Sequence, residues 1–421
     1  MTRRQVLFVA YYFPPLGGIG SLRALKLATH LTRFGWQATV LAPRDGAYHR
    51  DPGLVFPERH VVRTGSCELS RLGKRAVGSA AGDNRPARLG TTLARVRKWV
   101  RRWLYVPDAQ IGWYPFAVHA GRHLLREAHF DTIFSSSFPV TAHLVARRLA
   151  RDAGLPWIAE FRDPWTDAAE YDSRVRARLD RAVETSILKD ARAVVTVSER
   201  WADLLRSRGA RDVTVITNGF DPADLADLED EPQAAHPTAT YLGSYYPGLQ
   251  DLGTPLRALT RLRARDVPDL RVLVVGQRPG GLDEELAALG NAVVCTGFVR
   301  HAEALRLVSG SSLLLLAGPR RGEDVALGHI AAKVFEYLGS RRPILYVGHP
   351  EADMARLLRP MAGVEIVAPG QTDAAERAIR RLLAHRELRR SLTRITHEHL
   401  AGRLAGLLAA SADRNWGRRR P

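Results

Sequence analysis

The sequence predicts an α/β protein built from two doubly wound parallel-sheet units in tandem. Three observations carry this. Short apolar runs alternate with stretches of helical period along most of the 421 residues. Glycine-bearing turns close many of those runs, as strand ends feeding helices do. The pattern also restarts once. Asn218-Gly219-Phe220-Asp221-Pro222 is a turn signal, an acidic, proline-punctuated linker spans 224–237, and a new strand leads into Tyr241-Leu242-Gly243-Ser244.

Residues 6–11 read as a buried strand, followed by Tyr12-Phe13-Pro14-Pro15-Leu16-Gly17-Gly18-Ile19-Gly20. Leu22, Leu25, Ala28, Leu31 and Phe34 then recur at helical spacing up to a stop at Gly35. Strand, glycine loop and helix form a unit able to cradle phosphate, because glycine lets backbone N–H groups approach closely. As a dinucleotide fingerprint it is poor. Arg23 stands where the third glycine belongs, which weakens an oxidoreductase reading.

Residues 37–42 and 61–64 read as the next strands, and 66–92, rich in Gly, Ala, Ser and Arg without period, as a mobile loop. Residues 93–104 differ. Leu93, Val96, Val100, Trp103 and Leu104 share an arc of about 100° on a helical wheel, with Trp99 at its edge. Arg95, Arg97, Lys98, Arg101 and Arg102 fill the opposite side, and no acidic residue occurs between Asn84 and Pro107. This is the composition of a helix lying in a membrane interface, and equally of an amphipathic helix packed on its own domain.

Strands at 131–135 and 157–161 end in Ser136-Ser137-Phe138-Pro139 and Arg162-Asp163-Pro164-Trp165. Ligands gather at the carboxyl ends of parallel strands, so Ser136, Arg162 and Asp163 stand where a ligand hydroxyl would be held. The structural alternative is a turn-fixing ion pair between Arg162 and Asp163. His143 reads as packing. Strands at 194–198 and 213–217 close the first half.

In the second half a helix over about 256–263 follows the first strand. Further strands lie at 271–276, 292–296, 313–317, 344–347 and 364–367. Within 328–348, Ile330, Val334, Tyr337 and Leu338 share a helical face, Gly339 is a natural stop, and Pro343 opens the next strand. Lys333 and Glu336 lie three apart on that helix. A cation suits a diphosphate and a carboxylate suits a ribose diol; a surface ion pair is the plainer alternative. Helical sequence over 387–412 is followed by Arg414 and Arg418-Arg419-Arg420. The domains expected are 1–217, 218–386 and a terminal helix within 387–421.

Hydrophobic content of 45% and charged content of 25% are those of a soluble globular protein. No apolar run approaches the roughly 18 residues that span a bilayer. The N-terminus leads into a strand with no secretory h-region. Cys67 and Cys295 form neither a metal spacing nor a disulfide framework, which fits a reducing cytosol. A net charge of +18 implies attraction to nucleic acid, an anionic membrane or phosphorylated substrates, unless the arginines are scattered over a solvated surface. Beyond 93–104 no basic segment is interleaved with stacking aromatics, which disfavours nucleic acid.

Lys333-x-x-Glu336-Tyr337-Leu338-x-x-x-Arg342-Pro343-Ile344-Leu345 resembles the donor-binding helix of bacterial glycosyltransferases similar to glycosyltransferase family 4, which have the GT-B fold. Pro14-Pro15-x-Gly17-Gly18-x-Gly20-x-x-Arg23, Phe161-Arg162-Asp163-Pro164-Trp165 and the stretch from Pro107-Asp108 to Gly112-Trp113 match the same group. The resemblance covers nearly the whole chain and is weakest over 66–92. It implies two Rossmann-like domains facing a cleft, an Asn-Gly-x-Asp crossing at Asn218, and a C-terminal helix returning to the first domain. It implies that Glu336 holds the ribose of a nucleotide sugar and that Gly297, Phe298 and Val299 contact the base. Gly243, Ser244 and Gly276 would border the donor pocket, with Gly17, Gly18 and Arg23 on the acceptor or donor-phosphate side.

Two departures matter. Gly328 stands where the family often carries a second Glu that contacts the sugar. Gly243-Ser244 and Gln250-Asp251 replace the usual Gly-Arg and Lys-Gly diphosphate binders, which throws the cationic role onto Lys333, with Arg320 and Arg321 as weaker candidates. No Asp-x-Asp triplet occurs, so no metal and no cofactor beyond the donor substrate are expected, and the resemblance implies retention of configuration. The expectation is a cytoplasmic glycosyltransferase serving polysaccharide or glycolipid synthesis. It would be peripheral at the inner face of the plasma membrane if 93–104 meets anionic lipid. A nucleotide-sugar epimerase of the same fold and a basic nucleic-acid-binding protein are the alternatives.

Overall fold

The structure, a computed structural model, describes residues 3–44, 50–67, 106–167, 171, 173–226, 228, 234–320, 322–384 and 391–413. The expected loop beyond Cys67, the basic segment 93–104 and Arg321 lie outside the described residues. Two compact units are present: Met1–Val197 with Trp201–Ile216 and Ala401–Pro421, and Ser198–Arg200 with Thr217–Leu400.

Among the described residues the first unit holds seven strands: β1 (Arg4–Ala10), β2 (Trp36–Pro43), β3 (Val61–Thr64), β4 (Thr132–Ser137), β5 (Trp157–Phe161), β6 (Ala193–Thr196) and β7 (Val213–Val215). They pair in the order β3-β2-β1-β4-β5-β6-β7, every pair parallel. Val6, Leu7, Phe8 and Val9 of β1 are fully buried, as a strand covered by helices on both faces must be. The order reverses between β1 and β4, where Ala10 pairs with Ser136, so the loops after these strands flank the switch point. The helix Ile19–His30 tightens into a 3₁₀ turn at Leu31–Phe34 and ends on left-handed Gly35, the stop expected from sequence.

The second unit repeats the plan with, among the described residues, six parallel strands: β8 (Thr238–Leu242), β9 (Arg271–Val275), β10 (Val293–Cys295), β11 (Leu313–Ala317), β12 (Ile344–Val347) and β13 (Val364–Val367). Their order is β10-β9-β8-β11-β12-β13, with the switch between β8 and β11. Each of the five strands β8 to β12 is followed within two residues by a glycine: Gly243, Gly276, Gly297, Gly318 and Gly348.

Three element boundaries differ from expectation. The helix carrying Lys333 runs only Lys333–Gly339. Ile330 is buried in the same apolar cluster as Val334, Tyr337 and Leu338, so the apolar period continues through residues that are not helical. Gly339 is the last helical residue, and its lack of a side chain matters more for packing: a Cβ there would meet Phe220 and Leu225 at 2.6 and 2.7 Å. The linker begins later than residue 224, because Pro222–Ala226 is helical and buries Leu225 in that cluster. The C-terminal helix is His397–Ala412; residues 391–396 are not α-helical, with a 3₁₀ turn at Thr393–Ile395, and 387–390 lie outside the described residues.

Candidate active site

In the first unit the switch point is underlain by a charged network that the sequence does not announce. Glu160, fully buried in β5, accepts from Arg23 Nε at 3.0 Å and Nη2 at 2.8 Å through Oε1, and from Ser136 Oγ at 2.6 Å through Oε2. Arg23 Nη2 also donates to the Ile216 carbonyl at 2.8 Å. Arg23 and Ser136 are 1% and 5% exposed, so neither lines a binding surface as expected from sequence. They satisfy a buried carboxylate, which otherwise would carry the full cost of desolvation.

Arg162 lies above this network. Its Nε donates to the Ser137 carbonyl at 2.5 Å and its Nη2 to the Phe138 carbonyl at 3.3 Å. The guanidinium packs against the first turn of the helix Ile19–His30 so closely that a Cβ on Gly20 would overlap it. The glycine loop and the Phe-Arg-Asp-Pro-Trp segment, distant in sequence, therefore meet. Gly18 precedes the helix at φ 84° and is exposed, whereas Gly17 is buried. Arg162 and Asp163 form no ion pair. Asp163 is half-buried beside that guanidinium, and among the described residues nothing hydrogen-bonds its carboxylate.

Asp108 and Trp113, whose family match carried no derivable chemistry, prove to be architectural. Asp108 accepts from Thr141 N at 2.8 Å and Thr141 Oγ1 at 2.7 Å, and Trp113 Nε1 donates to Thr64 Oγ1 at 2.7 Å. His143 is fully buried, shares a hydrogen bond between Nδ1 and Ser135 Oγ at 2.8 Å and tilts against Phe161; burial holds its pKa down at about 3. Packing was the expected role.

In the second unit the ends of β8, β9 and β10 form a continuous backbone shelf. Gly243 N donates to the Val275 carbonyl at 2.8 Å, and Gly297 N to the Gly276 carbonyl at 3.1 Å. Gly276, at φ 148°, passes so near its neighbour that a Cβ would stand 2.8 Å from the Gly243 oxygen. No other residue type fits that approach. Ser244 is exposed beside the shelf, and Phe298 projects at 70% exposure with Val299 half-buried behind it.

The helix Lys333–Gly339 is fastened to this shelf by two residues one turn apart. Lys333 Nζ donates to the Leu242 carbonyl at 2.5 Å, and the Leu242 N–H donates to Tyr337 Oη at 2.8 Å. Lys333 Nζ also sits 3.9 Å from the centre of the Tyr241 ring and 3.7 Å from where a Cβ on Gly243 would be. Burial pulls its pKa down to about 7. No ion pair joins it to Glu336. That carboxylate, in a side chain 11% exposed, is held instead by His301 Nε2 at 2.7 Å. His301 and Glu160 both escaped sequence reasoning: each partnership bridges elements far apart in the chain, and neither residue sits in a recognisable spacing.

Among the described residues no cluster of three or more His, Cys, Asp or Glu side chains is arranged to hold a metal. No described helix is long and apolar enough to cross a membrane.

Comparison with known proteins bears on the fold and the family. Residues 17–219 match the glycosyl transferase 4-like domain family, and 236–385 match the glycosyl transferases group 1 family. No curated protein sequence matches the chain. Among solved structures, the sucrose-phosphate synthase of Thermosynechococcus elongatus is 16% identical over 97% of this chain and 96% of its own, with a TM-score of 0.58. Anabaena HepE in complex with UDP-glucose is 16% identical over 98% of both chains, TM-score 0.55. An E. coli trehalose-6-phosphate protein bound with UDP-2-fluoro glucose is 14% identical over 98% of this chain and 97% of its own, TM-score 0.56. At such identities the likeness establishes the fold. With both halves matched to glycosyltransferase families and two Rossmann-like sheets in tandem, the chain belongs to the GT-B glycosyltransferases, with a 4-like first half and a group 1 second half.

Proposed function

We propose that the chain transfers a sugar from a nucleoside diphosphate, UDP being the first base to test, to a membrane-held saccharide or glycolipid acceptor. The second unit would take the donor and the first the acceptor. One observation carries this reading: Lys333, the backbone shelf of Gly243 and Gly276, and the Glu336 carboxylate stand together on adjacent elements at the carboxyl edge of one parallel sheet. An ammonium suits a diphosphate, glycines without a side chain let it approach the main chain, and a carboxylate suits a ribose diol. Two glycosyltransferase-fold structures bound to UDP-sugars support the choice of UDP.

Chemically, the diphosphate leaving group gathers negative charge as the glycosidic bond to it breaks. Lys333, with two further protons on its ammonium, would stabilise that charge from a fixed position. Asp163, open and half-buried beside Arg162, would receive or orient the acceptor hydroxyl. Retention of configuration and independence of a divalent metal belong to the same proposal, the second resting on the lack of an Asp-x-Asp triplet. A thermal-shift screen of nucleotide sugars identifies the donor, since a true donor stabilises the fold by mass action. With that donor, Glu336→Ala weakens nucleotide binding by about 1.5–3 kcal/mol. Asp163→Asn lowers turnover while leaving nucleotide affinity near wild type. Unchanged nucleotide affinity in Glu336→Ala would refute the ribose assignment.

A further inference from the structure

We infer that His301 is the positioning residue for the donor's ribose: it ties down one oxygen of Glu336 and leaves the other to accept the sugar hydroxyls. The inference rests on the ribose reading of Glu336 given above. His301 opens the helix His301–Ser309, two residues after Val299, whereas Glu336 lies in the middle of the helix Lys333–Gly339. The two side chains meet across 35 residues, Nε2 to Oε1 at 2.7 Å. Glu336 Oε2 takes no hydrogen bond from the described residues and is not among the buried, unpartnered polar atoms, so it keeps contact with solvent.

The chemistry follows from this asymmetry. A glutamate carboxylate alone turns freely about its last torsion, and a nearly buried one has to be satisfied or it loses solvation. The imidazole N–H fixes the carboxylate plane and satisfies one oxygen, in either the neutral or the protonated ring. The second oxygen is then presented at one orientation, with two lone pairs for a vicinal diol. Because His301 lies two residues beyond Gly297-Phe298-Val299, one hydrogen bond also links the segment proposed to meet the base with the group proposed to meet the ribose.

The test is a ligand-by-mutation cycle read by calorimetry. UDP and GDP, each beside its 2′,3′-dideoxy analogue, are titrated into wild type, His301→Ala, His301→Gln and Glu336→Ala. His301→Ala should weaken the diphosphate that wild type binds about tenfold and leave its dideoxy analogue unchanged, because the lost contact exists only with the hydroxyls. His301→Gln, which restores an N–H donor at similar reach, should recover most of the loss. Equal weakening of diphosphate and dideoxy analogue by His301→Ala, or no weakening of either, overturns the inference. If Glu336→Ala weakens the diphosphate while His301→Ala does not, this inference alone falls. If Glu336→Ala has no effect, or neither diphosphate binds wild type, the ribose reading falls and takes the inference with it.

Discussion

At the scale of single residues, the two charges with most at stake are Lys333 and Glu160. Lys333 has no carboxylate partner, and burial lowers its pKa to about 7 from an ordinary value near 10.5. Between those values the unfolded chain holds a proton that the folded chain has released. Stability contributed by this group therefore rises with pH from 7 to 10.5, and Lys333→Met flattens that rise in chemical-denaturation curves. A bound diphosphate reverses the preference by favouring the ammonium. Nucleotide binding at pH 8 should take up a proton, measurable as different heats in buffers of different ionisation enthalpy, and affinity should fall as pH climbs above 7. Glu160 poses the opposite case, a buried carboxylate fully satisfied by Arg23 and Ser136. Glu160→Ala strands the 1%-exposed Arg23 and should cost about 3–5 kcal/mol of stability in urea titrations, far more than an exposed pair would.

At the scale of elements, the strands were plain in the sequence because they are buried on both faces and read as continuous apolar runs. Residues 157–161, 313–317 and 344–347 needed no correction. Glu160 was hidden for the same reason. One acid inside an apolar five-residue run gives no hint that its partner is a helical arginine 137 positions earlier. The short helix at Lys333 was overestimated because burial of Ile330 imitates helical period, and Arg23 and Ser136 were assigned to a surface because a loop match reveals order along the chain but not depth. The shelf itself was legible only as scattered glycines. Its geometry makes a sharp prediction: Gly276→Ala places a methyl against the Gly243 oxygen at a left-handed φ, so the β8 and β9 ends must move apart. Nucleotide affinity should drop at least tenfold while the melting temperature falls by only a few degrees. Parallel losses in the two would mean that the shelf is scaffold alone.

At the scale of the whole molecule, we propose 93–104 as the segment through which the net charge of +18 would meet an anionic membrane. Co-sedimentation with anionic and neutral vesicles, beside DNA and RNA shift assays, separates the partners. Reversing Arg97, Arg101 and Arg102 should abolish binding to anionic vesicles, at roughly 1 kcal/mol per basic residue, and leave nucleotide affinity intact. Wild type that ignores anionic vesicles removes the case for a lipid-held acceptor. The row of glycines at the ends of β8 to β12 has a consequence for how such an enzyme changes over time. If that floor holds the diphosphate as proposed, being main chain it offers few side chains for mutation to rewrite, and the grip is nearly frozen. Choice among sugars would then drift elsewhere, and we propose the segment from Pro319 to His329, with Gly328 in the place of an acid, as the ground for it. A saturation library confined to that segment should yield altered sugar preference with phosphate affinity intact, whereas the same library spread over the shelf should yield mostly dead enzyme.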